Sequence, residues 1–246
     1  MSSVDIGATP GAIVQRPAPR RRRGALLRQY RSEMRLLLTR RRNLILLGVL
    51  AIVPIFIGVA VKVSNPTGGD GPEFISRITG NGLFLVFTAI TVSIPFFLPL
   101  VIGVVAGDSI AGEAGLGTLR YLLTIPVGRT RLLAVKTTAV ASFTAICVFL
   151  IAVVGLLTGG VLFGIHSLVL LSGDTVGIGN ALLRTLGIIG YVAIALFALA
   201  AGGLFVSTLT ENAIAAMAAT VSIAVFSALL DAVPQLSAIH PALLTD

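Results

Sequence analysis

The side chains best suited to chemistry are few in this chain, and they stand apart. Its single cysteine, Cys147, lies in the middle of a long apolar run, where it serves as a small packing group with no second cysteine to pair with. His166 and His240 are far apart and neither has a Cys or carboxylate cluster beside it, so the ligand spacing of a metal site is missing. Asp108 and Glu113 are five residues apart, which on a helix turns their carboxylates about 140° away from each other. No carboxylate pair shares a helix face for acid and base work, and no serine carries the glycine-flanked pattern of a nucleophile elbow. Gly112, Gly115 and Gly117 form a glycine-rich run, yet no lysine follows in the register of a phosphate loop and no strand precedes it. The chain is therefore not expected to be an enzyme, and any ATP that drives it must be bound by another polypeptide.

The elements around these residues are set by composition. Apolar residues make up 56% of the chain and charged residues 11%, with a mean hydropathy of +1.01, which is the composition of a bilayer protein. Crossing a hydrocarbon core of about 30 Å takes roughly 20 helical residues. Five uncharged runs meet that length: Leu44 to about Val61, Leu83 to Val105, Thr137 to about Ile165, Thr185 to Leu209 and Ala213 to Leu230. None alternates like a barrel strand, and hydrocarbon cannot satisfy an open strand edge, so the expected fold is all-α and polytopic. The third run is longer than a crossing requires, which tilt or a helical extension beyond the membrane would absorb.

Lys and Arg that flank spans stay on the cytoplasmic side. Placing the N-terminus inside puts Arg16, Arg20, Arg21, Arg22, Arg23, Arg28, Arg31, Arg35, Arg40, Arg41 and Arg42 in the cytoplasm, with Arg120, Arg129, Arg131 and Lys136 joining them in the second-to-third connection. Only Lys62, Arg77 and Arg184 of the eighteen cations are then outside. This topology makes the protein a multi-pass component of the plasma membrane with a cytoplasmic N-terminus. The net charge of +8 is clustered beside a span and has few aromatics interleaved, a pattern that orients a span and touches anionic lipid rather than nucleic acid.

Two units follow: a basic tail over 1–22, whose Pro, Gly, Ala and Ser content predicts disorder, and a single transmembrane domain over 23–246. From Arg23 to Thr39, Leu26, Tyr30, Met34 and Leu37 fall on one helical face and Arg28, Arg31 and Arg35 on another. That is the pattern of an interfacial helix lying on the inner leaflet, or of one contacting a cytoplasmic partner. The span interiors hold no Asp, Glu, Lys, Arg or His, which counts against a proton- or ion-coupled carrier. Pro95 and Pro99 should bend the second span. Gly155, Gly159, Gly160 and Gly164 in the third, with Ala200, Gly202 and Gly203 in the fourth, allow close helix approach.

The one structured polar surface is the connection from Asp108 to Lys136. Leu116, Leu119, Leu122 and Leu123 recur at helical spacing with Glu113 and Arg120 as polar positions, a stop is expected before Pro126, and Val127-Gly128 supplies a turn. Such a short amphipathic helix suits the groove of a soluble partner, or lies on the inner leaflet without one. The order of residues here, AGE at Ala111 to Glu113, GTLRYLLTIP at Gly117 to Pro126 and then VGRTRLLAVK, resembles the permease subunits of ABC type-2 transporters. The matching positions are Glu113, Gly117, Thr118, Leu119, Leu123, Pro126, Arg129, Arg131 and Lys136, with Ile125 before the proline.

The resemblance covers about 30 residues sharply and most of the chain by topology. It implies that this connection is a coupling helix, with Arg120 and Leu122 belonging to the same ATPase-facing surface. It further implies a separate cytoplasmic ABC ATPase that holds ATP and Mg, a second permease subunit, identical or homologous, and efflux, while the uncharged Ser, Thr, Phe and Gly of the spans favour a hydrophobic or amphipathic cargo over an ion. It also implies six spans with both termini inside, whereas five are found here and Pro234 to Asp246 reads as an outer connector to a further span. The competing expectations are a membrane anchor that recruits a cytoplasmic partner and a secondary carrier.

Overall fold

A computed structural model describes residues 24–64, 81–115, 117, 129–164, 168–169 and 175–231, and among these seven helices hold nearly everything. The basic tail over 1–22, most of the connection between the second and third spans, and the C-terminal connector lie outside the described residues. Helix α1 (Ala25–Thr39) ends at Arg40, whose extended backbone (φ −64°, ψ 123°) makes a sharp elbow into α2 (Arg41–Ser64). Then come α3 (Leu83–Ser93), α4 (Phe97–Gly115), α5 (Arg129–Phe163), α6 (Ile178–Leu209) and α7 (Ala213–Asp231). Among the described residues the fold is all-α apart from one small ribbon between α5 and α6, where β1 (Leu168–Val169) pairs antiparallel with β2 (Thr175–Val176).

The second expected span is corrected in two ways. It is not one helix: Ile94, Pro95 and Phe96 form a turn between α3 and α4. Pro95 brings no N–H to the ladder, and Pro99 sits in the first turn of α4, where backbone N–H groups have no helical partner in any case. Nor does the helix stop at Val105. It continues to Gly115, so Asp108 and Glu113 belong to a span helix rather than to a separate connecting helix.

The broken element still makes one traverse. Gly82, beside the start of α3, faces Gly159 near the far end of α5, while Glu113 at the end of α4 reaches Lys136 near the start of α5. At 11 residues α3 is too short to cross alone, and it lengthens the 19-residue α4. Among the described residues five crossings result: α2, α3 with α4, α5, α6 and α7, each containing a helix long and apolar enough to span a bilayer. The 35-residue α5, about 52 Å long, keeps the third run helical as far as Phe163 and adds two further turns before Thr137.

Helix α5 is the centre of the bundle, contacting α1, α2, α3, α4 and α6, while α4 is held between α6 and α7. Leu50, Val86, Leu98, Ile102, Phe143, Cys147, Val148 and Ile151 are fully buried at these contacts. Ile45, Ile52, Phe56, Val161, Tyr191, Ile194 and Ile214 project outward, so the helices are apolar on their exposed faces as well, as lipid-facing helices are. Lipid tails offer no hydrophobic gain for helix association, and close packing at small residues takes its place. A methyl on Gly82 or Gly159 would overlap the other's backbone, and Gly82 N–H donates to the Gly164 carbonyl at 2.9 Å. Gly164 itself, at φ +77°, ends α5 in a conformation that L side chains rarely adopt.

Candidate functional site

Among the described residues the ion pairs gather at one end of the bundle, where the α1–α2 elbow, the last two turns of α4 and the first turns of α5 meet. Asp108 is only 7% exposed. Its Oδ2 accepts from Arg40 and, at 2.6 Å, from Nη2 of Arg42, whose Nη1 also lies 3.5 Å from the Met217 sulfur on α7. Burying a carboxylate without partners is costly, and two guanidinium groups supply them. Gly112, one turn on, leaves the room this requires, because a methyl there would collide with the Asp108 carboxylate.

Lys136 is buried more deeply, at 2% exposed. Its Nζ donates to Glu113 Oε1 at 2.7 Å and to the Ser109 carbonyl at 3.0 Å, and it lies 3.5 Å from Glu33 Oε2 on α1. One ammonium thus joins α1, α4 and α5. Asn43, also buried, donates from Nδ2 to the Leu37 carbonyl at 2.9 Å and satisfies an acceptor at the end of α1. Helix α1 docks through Tyr30, Met34, Leu37 and Leu38, and the Tyr30 hydroxyl donates to Ser142 Oγ at 2.8 Å. Leu26, Leu27 and Leu36 stay exposed beside Arg28, Arg31 and Arg35, so the helix keeps a second amphipathic face after docking.

From α6, Ser207 inserts its hydroxyl into α4. The oxygen donates to the Gly107 carbonyl at 2.6 Å and accepts from the N–H groups of Ile110 at 3.1 Å and Ala111 at 2.9 Å. Nearby, Gly107 and Gly103 let α4 approach α7 so closely that a methyl would stand 2.7 Å from Met217 N or 2.9 Å from Val221 Cγ2.

The sequence-derived positions are distributed unevenly over this arrangement. Glu113 lies on α4 and bonds Lys136. Gly117, at φ +69° with its N–H on the Ala114 carbonyl at 2.9 Å, makes a turn just after the end of α4. Thr118, Leu119, Arg120, Leu122, Leu123 and Pro126 lie outside the described residues. Arg129 opens α5, and Arg131 follows in its first turn. Pro95 lies in the break in the second crossing and Pro99 in the helical turn after it, and Gly155 and Gly159 pack against α3 and its N-cap, with a methyl on Gly155 only 3.3 Å from Val86 Cα. Gly203 is in tight contact with Thr220 and Ala106, whereas Gly202 faces open space and takes no part in helix packing.

Sequence reasoning did not single out Asn43 or Ser207, and it read Arg40 and Arg42 only as orientation signals and Asp108 as the start of the polar connection. The spacing Gly103-x-x-x-Gly107 is a visible signal of close helix approach. Nothing comparable marks Ser207, a small polar residue in an apolar run.

The family model described as ABC-2 family transporter protein matches residues 36–227, from the end of α1 to the last turns of α7. No curated protein matches the chain.

Proposed function

Because this chain belongs to the ABC-2 transporter family, and so is a multi-pass permease component with an ABC ATPase implied as partner, we propose that it couples ATP hydrolysis on that partner to efflux. In this reading two permease subunits, identical or homologous, work with two cytoplasmic ATPase subunits that hold ATP and Mg. The charged end of the bundle faces the cytoplasm of a plasma-membrane protein, in keeping with the cation distribution. The connection between α4 and α5 is then the coupling segment that the ATPase grips.

The observation that carries this reading is the clamp beneath the segment. Lys136 at the start of α5 holds Glu113 and the Ser109 carbonyl at the end of α4, while Arg40 and Arg42 hold Asp108. A push on the segment therefore reaches two crossings and the α1–α2 elbow together, rather than being lost in a slack loop. The crossings carry Ser, Thr, Phe and Gly near their middles and charge only towards their ends, which favours a hydrophobic or amphipathic cargo over an ion.

The test is transport in sealed vesicles that contain this chain and its ATPase. Uptake into inside-out vesicles should require ATP, be blocked by vanadate and persist when the proton gradient is collapsed. Transport that survives ATP depletion and stops with an uncoupler would instead establish a secondary carrier. Stable ATPase association without transport of any hydrophobic probe would favour an anchor.

A further inference from the structure

We infer that Ser207 is a positioning residue for the transport cycle, acting as the joint at which the cytoplasmic end of α4 bends against its spanning part. The inference rests on the coupling reading above, and three observations carry it. First, the Ser207 hydroxyl lies in the backbone ladder of α4: it donates to the Gly107 carbonyl and accepts from Ala111 N–H, the two groups that an α-helix pairs directly, and it accepts from Ile110 N–H as well. A side chain inserted into the ladder is one of the few identified causes of a helix kink. Second, the site is buried, with Ser207 1% exposed, so a turn of α4 that opened without this oxygen would leave backbone donors with no water to receive them.

Third, the joint separates two differently held parts of the helix. Before it, Gly103 and Gly107 press α4 onto Val221 and Met217 of α7. After it, Ser109 and Glu113 are held by Lys136 of α5, and Lys136 in turn lies beside Glu33 of α1. Asp108, one residue beyond Gly107, is held by the elbow arginines. When the coupling segment moves, the last two turns of α4 travel with α1 and α5 while the spanning part stays with α7. Ser207 lets the ladder open at Gly107 to Ala111 by exchanging one acceptor for another. Because it stands two residues before the end of α6, the same hydroxyl also ties that movement to the α6–α7 connection.

The experiment compares Ser207→Ala, Ser207→Thr and a control, Thr208→Ala, whose hydroxyl bonds only Phe205 of its own helix. Each variant is purified in mild detergent, then reconstituted with the ATPase. Hydrogen–deuterium exchange of the peptide over 106–112 reads the joint, and cargo moved per ATP hydrolysed reads its use. In Ser207→Ala the ladder should close, slowing exchange by at least about threefold. Cargo per ATP should fall by about tenfold while ATP hydrolysis continues. Ser207→Thr should restore both, and Thr208→Ala should change neither. Unchanged or faster exchange in Ser207→Ala would overturn the joint, and slowed exchange with an unchanged cargo-to-ATP ratio would overturn its role in transport. If the unaltered protein binds no ATPase, the coupling reading fails, and with it the positioning role, while exchange still decides whether the joint exists.

Discussion

Lys136 Nζ and Glu113 Oε1 stand 2.7 Å apart on α5 and α4, the two helices that the connection over 116–128 joins. This pair closes the base of the connection over 116–128. Both groups are largely buried, so each offsets part of the solvation the other has given up.

Lys136→Met should destabilise the protein by about 1.5–3 kcal/mol, because it removes the ammonium that Glu113, the Ser109 carbonyl and Glu33 share. Glu113→Gln should be milder, since the Ser109 carbonyl and Glu33 remain beside the ammonium. The double variant should be less destabilised than the sum of the two, by about 1 kcal/mol or more. Thermal unfolding in detergent measures all three, and strict additivity would show that the pair contributes nothing as a pair.

Gly112→Ala should destabilise although alanine is the better helix former by about 1 kcal/mol. Its methyl falls on the Asp108 carboxylate and pushes it off Arg40 and Arg42. Asp108→Asn should reproduce most of the loss, and Gly112→Ala should add little in that background. A stabilised Gly112→Ala protein would mean that the carboxylate has room the structure does not show.

Gly159→Ala and Gly202→Ala should differ in sign. The first forces α5 away from Gly82 at the start of α3, while the second places a methyl in open space and gains helix propensity, up to about 1 kcal/mol. Equal effects in an unfolding measurement would contradict the close α3–α5 approach.

Replacing Leu119 and Leu122 by Asp should weaken or abolish copurification of the ATPase while the crossings still insert. Charges placed in a buried apolar interface commonly disrupt it by a few kcal/mol. Undiminished association and transport would leave the segment as a helix lying on the inner leaflet.

With Cys147 first replaced, a cysteine at Asn65 or Thr67 should be labelled from outside intact cells by an impermeant reagent, and one at Val127 should not. The reverse pattern would remove the charged end of the bundle, and the clamp with it, from the reach of a cytoplasmic ATPase.

The number of crossings was legible in the sequence because the requirement is local: a run of apolar residues is either long enough for the hydrocarbon or it is not. The amphipathic α1, from Ala25 to Thr39, was legible for the same reason, its period lying within 15 adjacent residues. The pattern around Glu113, Gly117 and Pro126 pointed to the family that residues 36–227 match. The fate of the charges was not legible. Arg40 and Arg42 read as orientation signals, and only the tertiary structure turns them onto Asp108, 66 to 68 residues away. Ser207 is as anonymous in sequence as Thr208, yet one hydroxyl enters the ladder of α4 and the other bonds its own helix. Which of two neighbouring hydroxyls does so depends on how α6 is rotated against α4. That rotation is set where Gly203 packs on Ala106 and Thr220, by contacts between residues far apart in the chain, and no local period records it.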